Sequence, residues 1–220
     1  MAGLIELTAH SHPPAAGGSP RELVVLLHGY GADGRDLLGL APHLAQVLPH
    51  AEFVAPDAPY PCEMSPMGYQ WFSFEERTPE MLLAGAQAAY GFLDGFLDEL
   101  LAERGLGDDR LALVGFSQGT MMALHVAPRR RRALAGVVGF SGALLAPERL
   151  AKEVVSRPPV LLIHGDADQV VPFASLAASV AGLEAAGFKV RGEALRGLGH
   201  GIDERGLALG RSFLAEAFAP

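Results

Sequence analysis

Short apolar runs alternate with stretches of helical period along most of this chain. Most of the runs are rich in valine and leucine and stop at glycine, proline or a charged residue, which is typical of strands buried on both faces of a parallel sheet. This pattern predicts strands at 23–27, 52–55, 111–116, 134–140, 159–164 and 188–194.

Between these runs, apolar residues recur every three or four positions, which is the period of an amphipathic helix. Helices are predicted at 36–48, 81–104, from 118 to about 128, 173–186 and 202–218. The alternation of strands and helices predicts an α/β fold, a mostly parallel doubly wound sheet with helices on both faces. We expect residues 1–220 to form one domain, since this length suits a single α/β unit.

Two segments lack a regular period. Within the leading segment 1–20, residues 4–8 are predicted as a short edge strand and 10–20 as a loop. Residues 56–79 combine prolines with aromatic and methionine side chains and are interpreted as a cleft-lining connection, although packing onto the core is an equal alternative. We expect substrate contacts from Trp71, Phe72, Met64 and Met67 in this connection.

Charge and cysteine content narrow the classes of partner. The net charge of -8 argues against nucleic acids and anionic membrane surfaces, which need clustered positive charge. The four arginines at 129–132 are interpreted as a solvated helix end rather than an anion site. The chain has one cysteine, Cys62, and shows neither a signal-peptide pattern nor a long apolar span. These features predict a soluble cytoplasmic protein without stable membrane insertion.

The candidate chemistry centres on Ser117, which stands between a predicted strand and a predicted helix. Gly115 and Gly119 flank it, and residues without a β-carbon let strand and helix approach closely. This is the G-x-S-x-G nucleophile elbow. A serine hydroxyl is a weak nucleophile at neutral pH, so the chain must also supply a base and a group that orients the base.

His200 is the predicted base, because it follows the last predicted strand at the edge where ligands bind in open α/β sheets. His28 and His164 each end a buried strand and are interpreted as structural imidazoles bonded to nearby backbone. Asp166 and Asp168 are the candidate carboxylates, and both agree with the order serine, acid, histidine of α/β-hydrolases. We prefer Asp168 and interpret Asp166 as a brace of the turn.

Five ordered motifs resemble the phospholipase/carboxylesterase family. They are His-Gly-Tyr-Gly-Ala-Asp-Gly at 28–34, Gln-Trp-Phe at 70–72, Gly-Phe-Ser-Gln-Gly at 115–119, His-Gly-Asp-Ala-Asp at 164–168 with Val171 and Pro172, and Gly-His at 199–200. That family includes small bacterial carboxylesterases and acyl-protein thioesterases. The resemblance runs from about residue 23 to the last helix, which is nearly the whole chain.

The resemblance implies the α/β-hydrolase fold, no cofactor or metal, and a catalytic triad of Ser117, Asp168 and His200. It also implies that the backbone N–H groups of Tyr30 and Gln118 form the oxyanion hole.

Two further positions bear on substrate contacts. Val171, in the fourth motif, is expected to contact the substrate. Where the family usually has Trp-Phe-Asp, this chain has Ser73 as the third residue, a departure that concerns the acyl or leaving-group contacts.

The expected reaction is hydrolysis of a small-molecule ester, a short- to medium-chain acyl ester or a lysophospholipid, through an acyl-enzyme. The same triad could act on a thioester, a lactone or a small peptide, but the aromatic and methionine content of 60–74 favours an acyl or apolar alcohol group. A non-catalytic binding module with this fold is the alternative from another class. An exposed apolar connection could also serve a homodimer.

Overall fold

The computed structural model describes residues 7–219, and a seven-stranded sheet runs through them. The strands are β1 Ala9–His12, β2 Glu22–Leu27, β3 Ala51–Pro56, β4 Tyr60–Pro61, β5 Tyr69–Gln70, β6 Leu111–Phe116, β7 Gly136–Phe140, β8 Val160–Gly165 and β9 Val190–Leu195. The order across the sheet is β1-β3-β2-β6-β7-β8-β9, while β4 and β5 pair separately. Strand β1 is antiparallel to β3, and the remaining neighbours in the sheet are parallel.

Helices cover both faces of this sheet, as predicted. They are α1 Gly34–Leu38, α2 Ala41–Leu44, α3 Pro79–Arg104, α4 Gln118–Val126, α5 Pro147–Glu153, α6 Ala174–Ala185 and α7 Glu204–Ala217. Helices α3 to α6 contribute to the core on one face, and α1, α2 and α7 to the core on the other. Strand β2 serves both cores, because Leu23 and Val25 pack into the first while Val24 and Leu26 pack into the second.

The parallel arrangement brings the loops that carry the predicted site residues to one edge of the sheet. Strands β2, β6, β7, β8 and β9 run in the same direction, so the loops that follow them leave from their carboxyl ends. Tyr30 follows β2, Ser117 follows β6, Asp168 follows β8 and His200 follows β9. These residues are far apart in the sequence and become neighbours only through the sheet.

The first strand lies later in the chain than predicted. Of the predicted strand at 4–8, residues 4–6 lie outside the described part, and residues 7–8 are not in a strand. Ala9–His12 forms β1 instead, in a segment that was mostly predicted as a loop. Its side chains are exposed or half-buried, so this edge strand is formed by backbone pairing with β3 rather than by apolar packing. Its sequence therefore lacks the apolar alternation from which a strand is predicted.

The predicted helix at 36–48 is two short helices. Gly39 ends α1, and Pro42, which has no N–H to donate, stands in the first turn of α2. Leu37 and Leu44 are both buried, so the apolar period correctly identified the inward face. Helix α5 was not predicted.

The longest helix, α3, agrees with its prediction within two residues at its start. The Thr78 hydroxyl caps it by accepting the Met81 N–H at 3.3 Å, and Gly105 ends it with a φ of 65°. Among residues 7–219, no helix is both long and apolar enough to cross a membrane.

The arginine run is only in part the predicted solvated helix end: Arg131 and Arg132 are exposed, but Arg130 is only 6% exposed. Its Nε donates to Asp108 at 2.7 Å, and its Nη atoms donate to Asp94 at 2.6 Å and Asp98 at 2.7 Å. A guanidinium satisfies several carboxylates at once because its donors form a planar fork. Arg130 therefore ties α3 to the connection between α4 and β7.

Replacing Arg130 with methionine is expected to lower the free energy of unfolding by about 3 kcal/mol, since the half-buried carboxylates of Asp94 and Asp108 lose their partner. Methionine keeps much of the side-chain volume, so the change reports the lost charge. Urea unfolding followed by the fluorescence of Trp71, the one tryptophan in the chain, measures the effect. Arg132→Met is the control at an exposed position and should stay within about 0.5 kcal/mol of wild type. An equal loss of unfolding free energy in both variants would contradict the stabilising role given to the Arg130 ion pairs.

Candidate active site

Ser117 stands at the turn between β6 and α4 in a strained backbone conformation. Its φ is 53° and its ψ is -115°, a region that residues with a β-carbon rarely occupy. The Ser117 N–H donates to the Phe140 carbonyl at 2.9 Å, which ties the turn to the end of β7. Strain of this kind persists only where the surrounding structure enforces it, and it clusters at active sites.

The two flanking glycines are required by close backbone contacts. A β-carbon on Gly119 would lie 1.9 Å from the Leu27 carbonyl oxygen, and one on Gly115 would lie 2.5 Å from the Thr120 nitrogen. Both distances are far shorter than van der Waals contact. The glycines therefore let the start of α4 pack directly against the ends of β2 and β6, which is the geometry of a nucleophile elbow.

An acid–base pair lies beside the elbow. His200 Nδ1 is 2.7 Å from Asp168 Oδ2, and the other oxygen, Oδ1, accepts the N–H groups of Val170 at 2.8 Å and Val171 at 3.0 Å. Burial alone raises the pKa of Asp168, but the hydrogen bonds from His200 and from the two backbone N–H groups outweigh it and hold that pKa below its usual value. An ionised Asp168 places the His200 proton on Nδ1 and leaves Nε2 free to accept a proton.

Asp166 contacts a different partner. Its Oδ1 accepts the Gly197 N–H at 2.6 Å, so it braces the start of the loop that carries His200. The aspartates therefore differ in geometry, and only Asp168 contacts the imidazole.

His164 does more than the backbone contact that was predicted for it. Its Nε2 lies 3.0 Å from the Val171 carbonyl oxygen and 3.2 Å from Asp168 Oδ2, the same oxygen that His200 contacts. Its position four residues before Asp168 is the only sequence signal of this contact. Asp168 is thus surrounded by polar partners on both oxygens.

The predicted oxyanion donors lie at the same edge, one in the loop after β2 and the other at the start of α4. Tyr30 lies in the loop after β2. This loop is hydrogen-bonded to β5, because the Gly31 N–H donates to the Tyr69 carbonyl at 2.9 Å. Gln118 is the first residue of α4. Within residues 7–219, neither the Tyr30 nor the Gln118 backbone N–H donates to a protein acceptor, so both are free to bind a ligand oxygen.

The Gln118 side chain has a separate, structural role. It is fully buried, its Oε1 accepts the Trp71 N–H at 2.8 Å, and its Nε2 donates to the Phe72 carbonyl at 2.8 Å. The Trp71 indole N–H in turn donates to the His28 carbonyl at 3.1 Å. These bonds fasten the 56–79 connection to the elbow.

The loop that carries Tyr30 is held by His28. The Ala58 N–H donates to His28 Nε2 at 2.9 Å, so the proton must lie on Nδ1, which contacts the Gly29 carbonyl at 2.7 Å. Burial lowers the pKa of His28, which favours this neutral form. The predicted structural role of His28 agrees with these contacts.

A pocket of about 370 Å³ opens over Ser117 and His200. Most of its wall is apolar and comes from Phe74, Leu82, Met121, Leu145, Val170 and Val171. Met121 follows the serine by one turn of α4, which is a sequence signal. Val171 belongs to the fourth motif, whereas no sequence pattern points to Phe74, Leu82 or Leu145 as lining residues.

The predicted substrate contacts are only partly placed in this pocket. Val171 lines it, but Trp71 and Phe72 are buried in the core and are not among its lining residues. Met64 and Met67 are 81% and 88% exposed and also lie outside its wall. The expectation for these four residues is therefore corrected. The reason is that the Gln118 side chain hydrogen-bonds the backbone of Trp71 and Phe72, which places these two residues in the core. The neighbouring Phe74 lines the pocket instead.

Metal chemistry has no evident site in the described part of the chain. Within residues 7–219, no group of three or more histidine, cysteine, aspartate or glutamate side chains is placed to hold a metal ion.

Comparisons with known proteins agree with the observed fold. A family model described as Phospholipase/Carboxylesterase matches residues 14–217. The crystal structure of esterase PE8 is 43% identical to this chain, with a TM-score of 0.93, over 97% of this chain and 100% of that chain.

Two curated relatives also match more than half of this chain. Esterase YpfH of Escherichia coli is 28% identical over 187 residues, which are 85% of this chain and 79% of the relative. Acyl-protein thioesterase 1 of Yarrowia lipolytica is 31% identical over 163 residues, which are 68% of this chain and 70% of the relative. The predicted α/β-hydrolase fold and the predicted family resemblance are confirmed: the chain belongs to the phospholipase/carboxylesterase family.

Proposed function

We propose that this protein is a serine hydrolase of short- to medium-chain acyl esters. The observation that carries the proposal is the 2.7 Å contact between His200 Nδ1 and Asp168 Oδ2, at a pocket that Ser117 and His200 line together. The names of the relatives, esterase and acyl-protein thioesterase, support the same class of reaction.

The reaction begins with attack of Ser117 Oγ on the ester carbonyl carbon, while His200 Nε2 takes the hydroxyl proton. Asp168 stabilises the imidazolium that forms. The C–O bond to the alcohol then breaks, and His200 gives its proton to the leaving alkoxide, which departs as the alcohol. A water molecule, deprotonated by His200, attacks the acyl-enzyme and releases the carboxylic acid together with free Ser117.

The negative charge of each tetrahedral intermediate is bound by the N–H groups of Tyr30 and Gln118. Each such donor is worth about 3 kcal/mol of transition-state stabilisation in other serine hydrolases. Gln118 serves this step through its backbone, because its side chain is committed to Trp71 and Phe72. The strained turn therefore positions the nucleophile and one oxyanion donor together.

The pocket suits an apolar acyl group of modest length. A volume of about 370 Å³ lies at the lower end of the range for ligand pockets. A thioester with the same acyl group would fit the same machinery, and the thioesterase relative favours this as the second candidate. A lactone or small peptide has no feature of the pocket in its favour.

The cytoplasm is the proposed location. Cys62 is buried and forms no disulfide, which agrees with a reducing compartment.

A fluorophosphonate probe tests the proposed chemistry, since it reacts with activated serines. The wild type is expected to carry one adduct, located on Ser117 by mass spectrometry of the digested protein. His200→Ala is expected to abolish the adduct, because the hydroxyl loses its base. His43→Ala, an exposed histidine on α2, is the matched control and should label at the wild-type rate. Absence of labelling in folded wild type would favour a non-catalytic binding module.

A further inference from the structure

The pocket over Ser117 contains one permanently charged side chain, that of Arg77. Across residues 7–219, no carboxylate oxygen lies within 4.0 Å of its guanidinium. By contrast, Arg104, Arg129 and Arg130 all pair with carboxylates. Arg77 is thus an exposed cation in the wall of this pocket, in a chain whose net charge of -8 otherwise repels anions.

Arg77 is held in place without using its terminal donors. Its Nε donates to the Phe74 carbonyl at 3.3 Å, and its guanidinium carbon lies 5.2 Å from the centre of the Phe74 ring. Phe74 stacks on the Tyr30 ring with a centroid distance of 4.9 Å and an angle of 18°. In the described part of the chain, the Nη atoms of Arg77 donate no hydrogen bond, so the fork that matches a carboxylate stays open.

Acidic residues near this wall have other partners or stay in solvent. Glu63 accepts the Tyr30 hydroxyl at 3.1 Å and the Gln70 amide at 2.9 Å. Glu75 and Glu76, which precede Arg77, are exposed. The guanidinium is therefore available to a ligand in the pocket.

We propose that Arg77 forms an anion subsite and that the preferred esters carry a carboxylate at the end of an apolar chain. The proposal rests on the proposed ester hydrolysis and names its substrate class. The apolar wall would contact the chain and the guanidinium would pair with its terminal carboxylate. A single cation matches the single charge of a carboxylate, whereas a phosphate monoester, with about two charges, would call for further donors.

The test uses matched ester pairs that differ only in charge. The first pair is mono(4-nitrophenyl) adipate and the corresponding 4-nitrophenyl ester of adipic acid monoamide, which places the charge on the acyl side. The second pair is 6-acetoxyhexanoate and 6-acetoxyhexanamide, which places it on the alcohol side. The quantity measured is the ratio of kcat/KM for the carboxylate to kcat/KM for the amide, in wild type, Arg77→Met, Arg77→Lys and Arg132→Met.

Arg77→Met is expected to lower this ratio about fivefold in the pair whose carboxylate reaches the subsite, which is the scale of a partly solvated ion pair. The loss should appear in KM rather than kcat, because the ion pair would form at the far end of the substrate chain and not at the reacting carbonyl. Arg77→Lys should retain part of the preference, and about 0.5 M salt should weaken it. Arg132→Met removes the same charge from an exposed position and should leave the ratio within twofold.

An unchanged ratio for Arg77→Met in both pairs would overturn the anion subsite. An equal loss in Arg132→Met would also overturn it, because the effect would then belong to net charge. If the folded wild type hydrolyses neither neutral amide-bearing ester, the proposed ester hydrolysis itself fails. The neutral substrates thus separate the two failures.

Discussion

Replacing Ser117 with alanine is expected to lower kcat/KM for 4-nitrophenyl butyrate by about 10⁵-fold, since loss of a serine nucleophile leaves only the small catalysis supplied by binding and the oxyanion donors. Alanine keeps the β-carbon and therefore the strained turn, so the fold should persist with an unchanged free energy of unfolding. Release of 4-nitrophenolate measures the rate, and urea unfolding measures the stability. Activity that survives within a few-fold would show that the mechanism is wrong.

A glycine at the same position separates chemistry from folding. Ser117→Gly removes the β-carbon at a φ of 53°, so the free energy of unfolding should rise by about 1 kcal/mol as strain is relieved. The esterase activity should be lost as fully as in the alanine variant. A variant that is more stable and yet inactive would identify Ser117 as a residue held for function rather than for folding.

Replacing Asp168 with asparagine is expected to lower kcat/KM by about 10⁴-fold while Asp166→Asn stays within a few-fold of wild type. The backbone N–H groups of Val170 and Val171 would hold the amide oxygen of the new asparagine, which turns its NH₂ group toward His200. His200 would then be favoured with its proton on Nε2, the tautomer that cannot accept from the serine.

The Asp166 variant is a close control because it has the same change of charge and lies two residues away. Asparagine at 166 retains an oxygen that can accept the Gly197 N–H, so the brace of the histidine loop persists. Initial rates with the same 4-nitrophenyl ester, together with urea midpoints for both variants, provide the comparison. The opposite ranking of the two variants would place the catalytic carboxylate at Asp166.

Several parts of the fold and the site were readable from the sequence because they depend on local rules. The buried strands were recognisable as apolar runs. The elbow was recognisable from its two glycines, because only glycine fits where α4 packs on β2 and β6. The strands were thus found with small errors at their ends. The edge strand β1 and the break at Gly39 were missed, because neither depends on an apolar period.

Contacts between distant segments explain where sequence reasoning failed. Gln118 and Trp71 are 47 positions apart, yet their hydrogen bond turns the tryptophan into the core and away from the pocket. In the sequence, Arg130 is one of four equivalent arginines, and only the packing of α3 brings Asp94 and Asp98 to its guanidinium. The type of a residue indicates whether its side chain prefers the core or the solvent. It does not indicate which other residue that side chain will contact.

The sequence by itself determined the α/β architecture, the position of Ser117 and the order of the acid and histidine candidates, because each follows from local period, turn chemistry or chain order. The sequence and the family resemblance already favoured Asp168 over Asp166, but only the tertiary structure placed Asp168 against the imidazole and Asp166 against Gly197, and only it brought Arg77 to the pocket wall. These choices depend on which loops meet at the carboxyl edge of the sheet and how their backbones turn. That is a matter of three-dimensional packing, which one-dimensional patterns do not encode.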